Sequence, residues 1–325
     1  MNFSLRHTSE HRLGMILAFG SLLWSGTYNA LAKGLTPYVS PVTLLLLSEA
    51  LTALFIALTF GIVPLGRKMM RLDKRTVRIA AIVGLFNSAI APLLWFSGLM
   101  QTSAVNASLL SCADILCILI MSHYLLGEQL TKMQGIGAMV VFIGVLVLNL
   151  GGDNISAGMH TGDLLILAGS LVSGAGSVLF KKYLSDVMPE LAILIRNIAG
   201  IIAVSIVAFF WEHPFVQEVQ SFPLKKVILL LAFTFFSRYL NLTFYYEALD
   251  RMSATAMSLI SIASPLSGVL FAYLILGEMI QSYQVLGIIF IIMGLLVEQM
   301  SLQTVNTFRC RLFQAHMSRM ERVRV

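Results

Sequence analysis

Charged residues are scarce in this chain. Only 12% of its 325 residues are Asp, Glu, Lys or Arg, about half the share in soluble domains, and 58% are hydrophobic. Cysteines are few: Cys112, Cys117 and Cys310 make no even framework and no Cys-x-x-Cys, which argues against disulfide or metal chemistry. We find no Walker loop, metal-ligand cluster or Ser/His/Asp constellation, so we predict no ATP hydrolysis, no catalytic residues, no cofactor and no metal. The composition indicates an integral membrane protein rather than an enzyme.

Long apolar runs stand where the charges are missing. They are continuously apolar rather than alternating with a period of two, which favours helices over a β-barrel. Each is close to the length of about twenty residues that crosses a hydrocarbon core as a helix. The sequence therefore predicts an all-α integral membrane protein with ten transmembrane helices, at 13–33, 40–61, 77–97, 103–126, 133–150, 163–181, 189–210, 226–246, 252–276 and 282–299.

The first run has a second interpretation as a signal peptide. Arg6 and Arg12 precede it, and it ends near Ala30-Leu31-Ala32, which has the small-x-small pattern of a cleavage site. Because the run has a partner later in the chain, we favour a retained helix over a cleaved leader.

The chain repeats itself after about 150 residues. Comparing Leu99–Gly137 with Leu249–Gly287 without gaps gives 13 identities in 39 pairs, including a Leu-Gly-Glu in each segment. Unrelated apolar spans match at roughly a tenth of positions, so chance is a poor explanation. A shift of 148 extends the match upstream, to the pairs Gly14/Gly162, Ser25/Ser173, Gly26/Gly174, Lys33/Lys181 and Pro41/Pro189.

Each half contains five predicted helices. Because five is odd, the second half enters the membrane from the opposite side, so we predict two inverted five-helix repeats. If both termini are cytoplasmic, 17 of the 22 basic residues lie on that side, as the positive-inside rule requires. The excess charge then faces anionic membrane lipid and requires no nucleic acid.

These repeats divide the chain into four predicted parts. A cytoplasmic N-terminal tail covers 1–12, the first five-helix repeat 13–150, the second 151–299, and a basic cytoplasmic tail 300–325. The last of these is either a short amphipathic helix on the membrane surface or a disordered basic end.

The order of the motifs resembles the EamA-type transporters of the drug/metabolite transporter superfamily. The resemblance implies a bundle of two inverted five-helix repeats around a central cavity, which moves small organic solutes by alternating access. Two positions break the symmetry: Asp114 stands where the second half has Ser264, and Ser48 stands where it has Arg196. The residues that carry the resemblance are Trp24-Ser25-Gly26, Gly98-Leu99 with Thr102-Ser103-Ala104, Ala248-Leu249 with Met252-Ser253-Ala254, both Leu-Gly-Glu corners, Gly137, Gly144, Gly287, Gly294 and Ser264-Pro265.

Four ionisable side chains lie well inside predicted spans, where burial is costly and points to function: Glu49, Asp114, Arg196 and Arg238. Asp114 is near the middle of its span, so we predict that it binds substrate or exchanges a coupling proton. A fixed ion pair with Arg196 or Arg238 is the alternative. For Glu49 and the two arginines, an internal ion pair and a clamp on an anionic substrate group both stay open.

Three residues of the first span, Trp24, Tyr28 and Asn29, combine aromatic rings and an amide beside small residues, which suits a ligand cavity. Interfacial anchoring explains the two aromatic residues equally well. Glu128 and Glu278 follow the repeated Leu-Gly and precede the next helix, so we predict that they cap or brace these corners.

Taken together, these features predict a secondary transporter in the inner (plasma) membrane with both termini cytoplasmic. Its substrate is a small organic metabolite, an amino acid or related compound, exported by alternating access, with protons as the candidate coupling ion. The export direction and the inner membrane are implied by the resemblance. The alternatives are an importer or uncoupled facilitator of the same fold, and an integral-membrane lipid-handling protein.

Overall fold

The computed structural model describes residues 2–127, 130–150, 161–185, 187–252, 257 and 260–297. Within these ranges the chain is helical or in short turns and contains no strand. The helices are numbered α1 (Asn2–Leu35), α2 (Pro41–Phe60), α3 (Ile62–Met70), α4 (Lys74–Leu99), α5 (Ala104–Leu126), α6 (Lys132–Leu150), α7 (Thr161–Tyr183), α8 (Pro189–Phe210), α9 (Phe215–Ser221), α10 (Leu224–Ala248), α11 (Ser264–Leu276) and α12 (Ser282–Val297).

The predicted apolar runs coincide with helices. Six helices, α2, α4, α5, α7, α8 and α10, are long and apolar enough to cross a membrane. Three more, α6, α11 and α12, are apolar but shorter within the described ranges, and α1 contains the first predicted run. The all-α membrane fold is therefore confirmed, with six helices that satisfy both length and composition.

Both repeated Leu-Gly corners end a helix in the same way. Gly127 has φ 68° and Gly277 has φ 70°, a left-handed conformation that glycine adopts without the steric cost of a Cβ atom. After each corner, Gln134 and Gln284 accept a hydrogen bond from the backbone N–H three residues earlier, at 2.9 and 2.8 Å. The repeated sequence therefore encodes the same turn in both halves.

The two halves are inverted with respect to each other. The equivalent helices α6 and α12 touch through glycines: a Cβ atom on Gly144 would lie 3.1 Å from the carbonyl oxygen of Gly287, and one on Gly294 would lie 2.7 Å from that of Gly137. Residue numbers rise along one helix as they fall along the other, so equivalent helices run antiparallel.

Packing between the halves follows the same pseudo-two-fold relation. Helix α1 packs against α10 and α11 of the second half, and its equivalent α7 packs against α4 and α5 of the first. Helix α2 packs against α10, and its equivalent α8 packs against α4. The interior of the bundle is thus built from both repeats.

Regular helix is interrupted at equivalent places in the two halves. Helices α4 and α10 contain π-helical stretches at Leu85–Ile90 and Phe233–Leu240. A turn breaks α5 at Ser111 and Cys112, and a turn at Ile262 and Ala263 precedes α11. Broken helices and π-helical turns free backbone groups and often mark ligand sites in membrane proteins.

Candidate functional site

A cavity of about 430 Å³ lies between α1, α4, α5, α7, α10 and α11, at the level of these interruptions. Hydroxyl and amide groups dominate its wall. Among the described residues that line it, Asp114 is the only acid, and there is no Lys or Arg. The lining residues are Ser25, Tyr28, Asn29, Asn87, Ala91, Pro92, Trp95, Ser108, Ser111, Asp114, Ser170, Ser173, Asn241, Ser264 and Gly268.

The break in α5 brings Asp114 into this wall. Asp114 lies in the first turn of the second part of the helix, Ala113–Leu126, where the positive end of the helix dipole stabilises a carboxylate. Helix α7 passes close by, because a Cβ atom on Gly174 would lie only 2.7 Å from the carbonyl oxygen of Asp114. The predicted acid therefore occupies the cavity between helices of opposite halves.

A hydrogen-bonded chain fixes one side of the cavity. The indole N–H of Trp95 donates to Asn29 Oδ1 at 2.8 Å, and the Asn29 amide donates to the Ser108 hydroxyl at 2.9 Å. The hydroxyls of Ser25 and Ser264 lie 3.1 Å apart and link α1 to α11. These contacts hold polar groups in a fixed arrangement around the space, as a small-molecule site requires.

Of the two predicted aromatic residues, Tyr28 lines the cavity and Trp24 does not. The Tyr28 ring packs between Phe96 and Phe233, with ring centroids 6.2 and 5.1 Å away. Trp24 instead stacks on Phe236 at 4.6 Å. Tyr28 therefore connects the cavity to an aromatic layer, and Trp24 belongs to the packing of α1 against α10.

Glu49 and Arg238 form an ion pair outside the residues that line the cavity. The Glu49 side chain is 1% exposed and that of Arg238 is 11% exposed. One guanidinium nitrogen, Nη2, donates to Glu49 Oε1, and Nη1 donates to the Ser48 hydroxyl at 2.8 Å. The structure thus has the internal ion pair, one of the two interpretations that the sequence leaves open.

The pseudo-equivalent contact in the other half is uncharged. Asn197 and Ser88 stand where Glu49 and Arg238 stand, and the Ser88 hydroxyl lies 3.3 Å from Asn197 Oδ1. Helices α2 and α10 are therefore joined by charge, whereas α8 and α4 are joined by a neutral hydrogen bond.

Arg196 is the second cation near Glu49. It lies on α8, which packs against α2, the helix that carries Glu49. Arg196 Nε and Glu49 Oε2 are both buried without a hydrogen-bond partner among the described residues. Glu49 is therefore ion-paired with Arg238, with Arg196 on the adjacent helix, and neither guanidinium is among the described residues that line the cavity.

A second cavity of about 270 Å³ adjoins the first and shares Ser25, Asn241 and Ser264 with it. Its other lining residues are nearer the N-terminal end of α1 and the C-terminal end of α10, among them Ala18 and Tyr245. The central space therefore continues toward the membrane face at which α1 begins, which we call the N-side. The opposite face, at which α1 ends, is the far side.

Polar contacts within the first repeat and between the two repeats close the far side. Glu278 accepts hydrogen bonds from the backbone N–H groups of Ala104 and Val105, both at 3.0 Å, and Lys33 donates to the carbonyl oxygens of Leu99 at 2.6 Å and Thr102 at 2.8 Å. The sequence predicts that Glu278 caps the helix that follows it in the chain. In the structure, Glu278 instead caps the N-terminus of α5 in the other half. Glu128 and the tail 300–325 lie outside the described residues.

Asp163 belongs to this far-side closure and is absent from the residues predicted from sequence. It is 1% exposed and accepts hydrogen bonds from the Thr102 hydroxyl and, at 3.4 Å, from the Asn106 amide. Asn106 Oδ1 in turn accepts from Gln284 at 2.6 Å. From sequence, a polar residue at the first position of an apolar run resembles an exposed helix cap. Only its burial and its hydrogen bonds from Thr102 and Asn106 show that Asp163 is an interior group.

Comparison with known proteins places these features in a family. The model of the EamA-like transporter family matches residues 12–150 and again residues 160–298. The uncharacterized transporter YyaM of Bacillus subtilis is 26% identical over 289 residues, which cover 87% of this chain and 91% of YyaM. The uncharacterized transporter YetK of the same organism is 26% identical over 294 residues, covering 88% and 82%. A solved crystal structure with 19% identity has a TM-score of 0.62 and covers 88% of this chain and 96% of its own.

Proposed function

Because the chain belongs to the EamA-like transporter family, we propose that it is a secondary transporter of a small organic metabolite bearing a protonated amine, an amino acid or related compound. The observation that carries this proposal is the cavity between the inverted halves, with one carboxylate in a wall of hydroxyl and amide groups. The transported compound binds in this cavity. Transport in the direction of export, in the inner membrane with both termini cytoplasmic, is part of the same proposal.

The charge of the wall supports an amine as the recognised group. Asp114 supplies a carboxylate, and Trp95 adds an aromatic ring to the same wall, a group that attracts cations. The cations of the interior, Arg196 and Arg238, are grouped around Glu49 instead. An anionic group of the substrate therefore has only neutral donors, such as the amide of Asn87, which makes purely anionic compounds poor substrates.

Asp114 also supplies the coupling to protons. An ionised Asp114 binds the ammonium group, and a protonated Asp114 does not attract it, so the amine and a proton compete for one carboxylate. Release of the amine on one side and loading of a proton there exchanges one cation for another. The exchange is electroneutral for a monocation.

The contacts correspond to a state open on the N-side, which is the cytoplasmic side under this proposal. The second cavity extends the central one toward that face. Contacts of Glu278, Lys33 and Asp163 between helices close the far side. Alternating access then requires that these contacts separate while the N-side closes.

The test uses purified protein in liposomes, with internal pH recorded for a panel of small amines, amino acids and carboxylic acids. We expect responses to amine-bearing compounds and none to simple carboxylic acids. Asp114→Asn should abolish the response, whereas Ser173→Ala, which changes a neutral lining residue, should alter it only several-fold. Responses to carboxylic acids alone would contradict the amine proposal. Substrate movement by wild type without any pH change would favour the uncoupled facilitator.

A further inference from the structure

A cluster of basic side chains lies on the N-side, on α3 and the first turns of α4. We call residues 62–78 the basic hairpin. Its cations are all exposed to solvent, and they are Arg67, Lys68, Arg71, Lys74, Arg75 and Arg78. The transport cavity described above uses none of them, so their concentration requires a separate explanation.

Helix α3 has three distinct faces. Leu65 is 2% exposed and packs against Ile56 and Ile193, which fixes one face to the bundle. Ile62, Val63 and Met70 are 68%, 61% and 79% exposed and, at about 100° per residue, share a second face. The basic residues of α3 occupy the third. A helix with adjacent apolar and basic exposed faces is typical of one that lies in the interface of a membrane.

Most of these cations have no acidic partner in the part of the chain that the structure describes. Among the residues that the structure describes, Arg67, Arg71, Lys74 and Arg75 form no ion pair, and Lys68 lies 3.7 Å from Glu190. Asp73, the one acid within the basic hairpin, caps α4 by accepting from the N–H groups of Arg75 at 3.1 Å and Thr76 at 3.2 Å. The surface therefore keeps a large positive charge that the described residues do not neutralise.

The inverted repeat provides an internal comparison. Helix α9 occupies the corresponding place in the second half, between α8 and α10, on the far side. Its sequence FVQEVQS contains Glu218 and no basic residue. The fold thus has a short connecting helix in both halves, and this helix carries cations on the N-side only, whereas the first turn of the following helix has cations in both halves, Lys225 and Lys226 in α10.

We propose that the basic hairpin is a docking surface for anionic phospholipid headgroups of the N-side leaflet. The guanidinium groups of Arg67, Arg71 and Arg75 bind lipid phosphate groups, for which their planar fork is well suited. The apolar face of α3 contacts the upper part of the acyl chains. Bound lipid holds the loop between α2 and α4 at the membrane surface. This inference does not depend on the identity of the transported solute.

The first test measures lipid binding by native mass spectrometry of the full-length protein with phosphatidylglycerol or phosphatidylcholine. At roughly five-fold per cation near an anionic surface, Arg67→Gln/Arg71→Gln/Arg75→Gln should weaken phosphatidylglycerol binding by about 100-fold. The charge-matched control, Lys132→Gln/Lys225→Gln/Lys226→Gln, should change it by less than about five-fold. Equal losses in both triple variants, or unchanged binding in the first, would overturn the proposal.

A second test needs no variant. In nanodiscs, phosphatidylglycerol should raise the melting temperature of wild type above that in phosphatidylcholine, and 1 M salt should remove the difference, because the contacts are electrostatic and exposed. Inorganic phosphate added to phosphatidylcholine nanodiscs should not reproduce the rise. A rise that phosphate alone reproduces would assign the surface to free anions, and a rise unaffected by salt would exclude the headgroup contacts.

Discussion

Glu49 is ion-paired with Arg238, and we expect it to act as counter-ion for Arg196 as well, so its neutralisation should destabilise the protein more than loss of either arginine. Arg238→Gln removes the paired guanidinium, but the charge of Arg196 stays near Glu49. We therefore expect the free energy of unfolding to fall by about 3 kcal/mol, the lower end of the range for a broken buried ion pair. Glu49→Gln leaves both guanidinium groups without an acid. We expect about 5 kcal/mol for that change.

The assay is thermal unfolding of purified protein in one detergent, followed by tryptophan fluorescence. At about 2 °C per kcal/mol for a chain of this size, the melting temperature should fall by roughly 6 °C for Arg238→Gln and 10 °C for Glu49→Gln. The pseudo-equivalent neutral contact gives the control: Ser88→Ala removes one hydrogen bond, worth about 1 kcal/mol. A Glu49→Gln variant more stable than Arg238→Gln would refute the shared counter-ion.

Three further changes have definite expected outcomes. Gly174→Val should prevent folding or abolish transport, because a Cβ atom there would lie 2.7 Å from the carbonyl oxygen of Asp114; normal yield and activity would contradict this close packing. Partial burial raises the pKa of Glu218, but hydrogen bonds from the start of α2 lower it by more. The pKa of Glu218 in the folded protein is therefore below its usual value. Its contribution to stability is therefore present above about pH 4.5 and disappears as the pH falls through the folded pKa; the melting temperatures of wild type and Glu218→Gln should differ at pH 7 and converge near pH 3. Glu278→Ala should lower the melting temperature by about 2 °C through the lost cap on Ala104 and Val105, and an unchanged value would remove Glu278 from the far-side closure.

Much of the fold can be predicted from the sequence because hydrocarbon imposes length and composition on each helix. The apolar runs give the helices to within a few residues, apart from two. Helix α1 begins well before its run, and α11 begins at Ser264 although its predicted run begins at residue 252. The shift of 150 residues and the odd number of helices in each half give the inversion, which the antiparallel contact of α6 and α12 confirms.

The site is predictable only in part, since composition marks a buried charge but not its partner. The energetic cost of burying a charge in a membrane selects both Glu49 and Asp114 as candidates. In the structure, Glu49 is paired with Arg238, whereas Asp114 lines the cavity. Asp163 escapes prediction because it stands at the boundary of an apolar run. The cap that Glu278 provides joins residues 174 positions apart, a contact that no local pattern encodes.

The most direct test of the central claim is untargeted mass spectrometry of spent medium from cells that express wild type, Asp114→Asn or no transporter. We expect an amine-bearing metabolite enriched outside the cells with wild type only, with both proteins present in the membrane at equal levels. Enrichment of the same metabolite by Asp114→Asn, or of a purely anionic metabolite by wild type, would contradict the assignment of the cavity and of its one carboxylate.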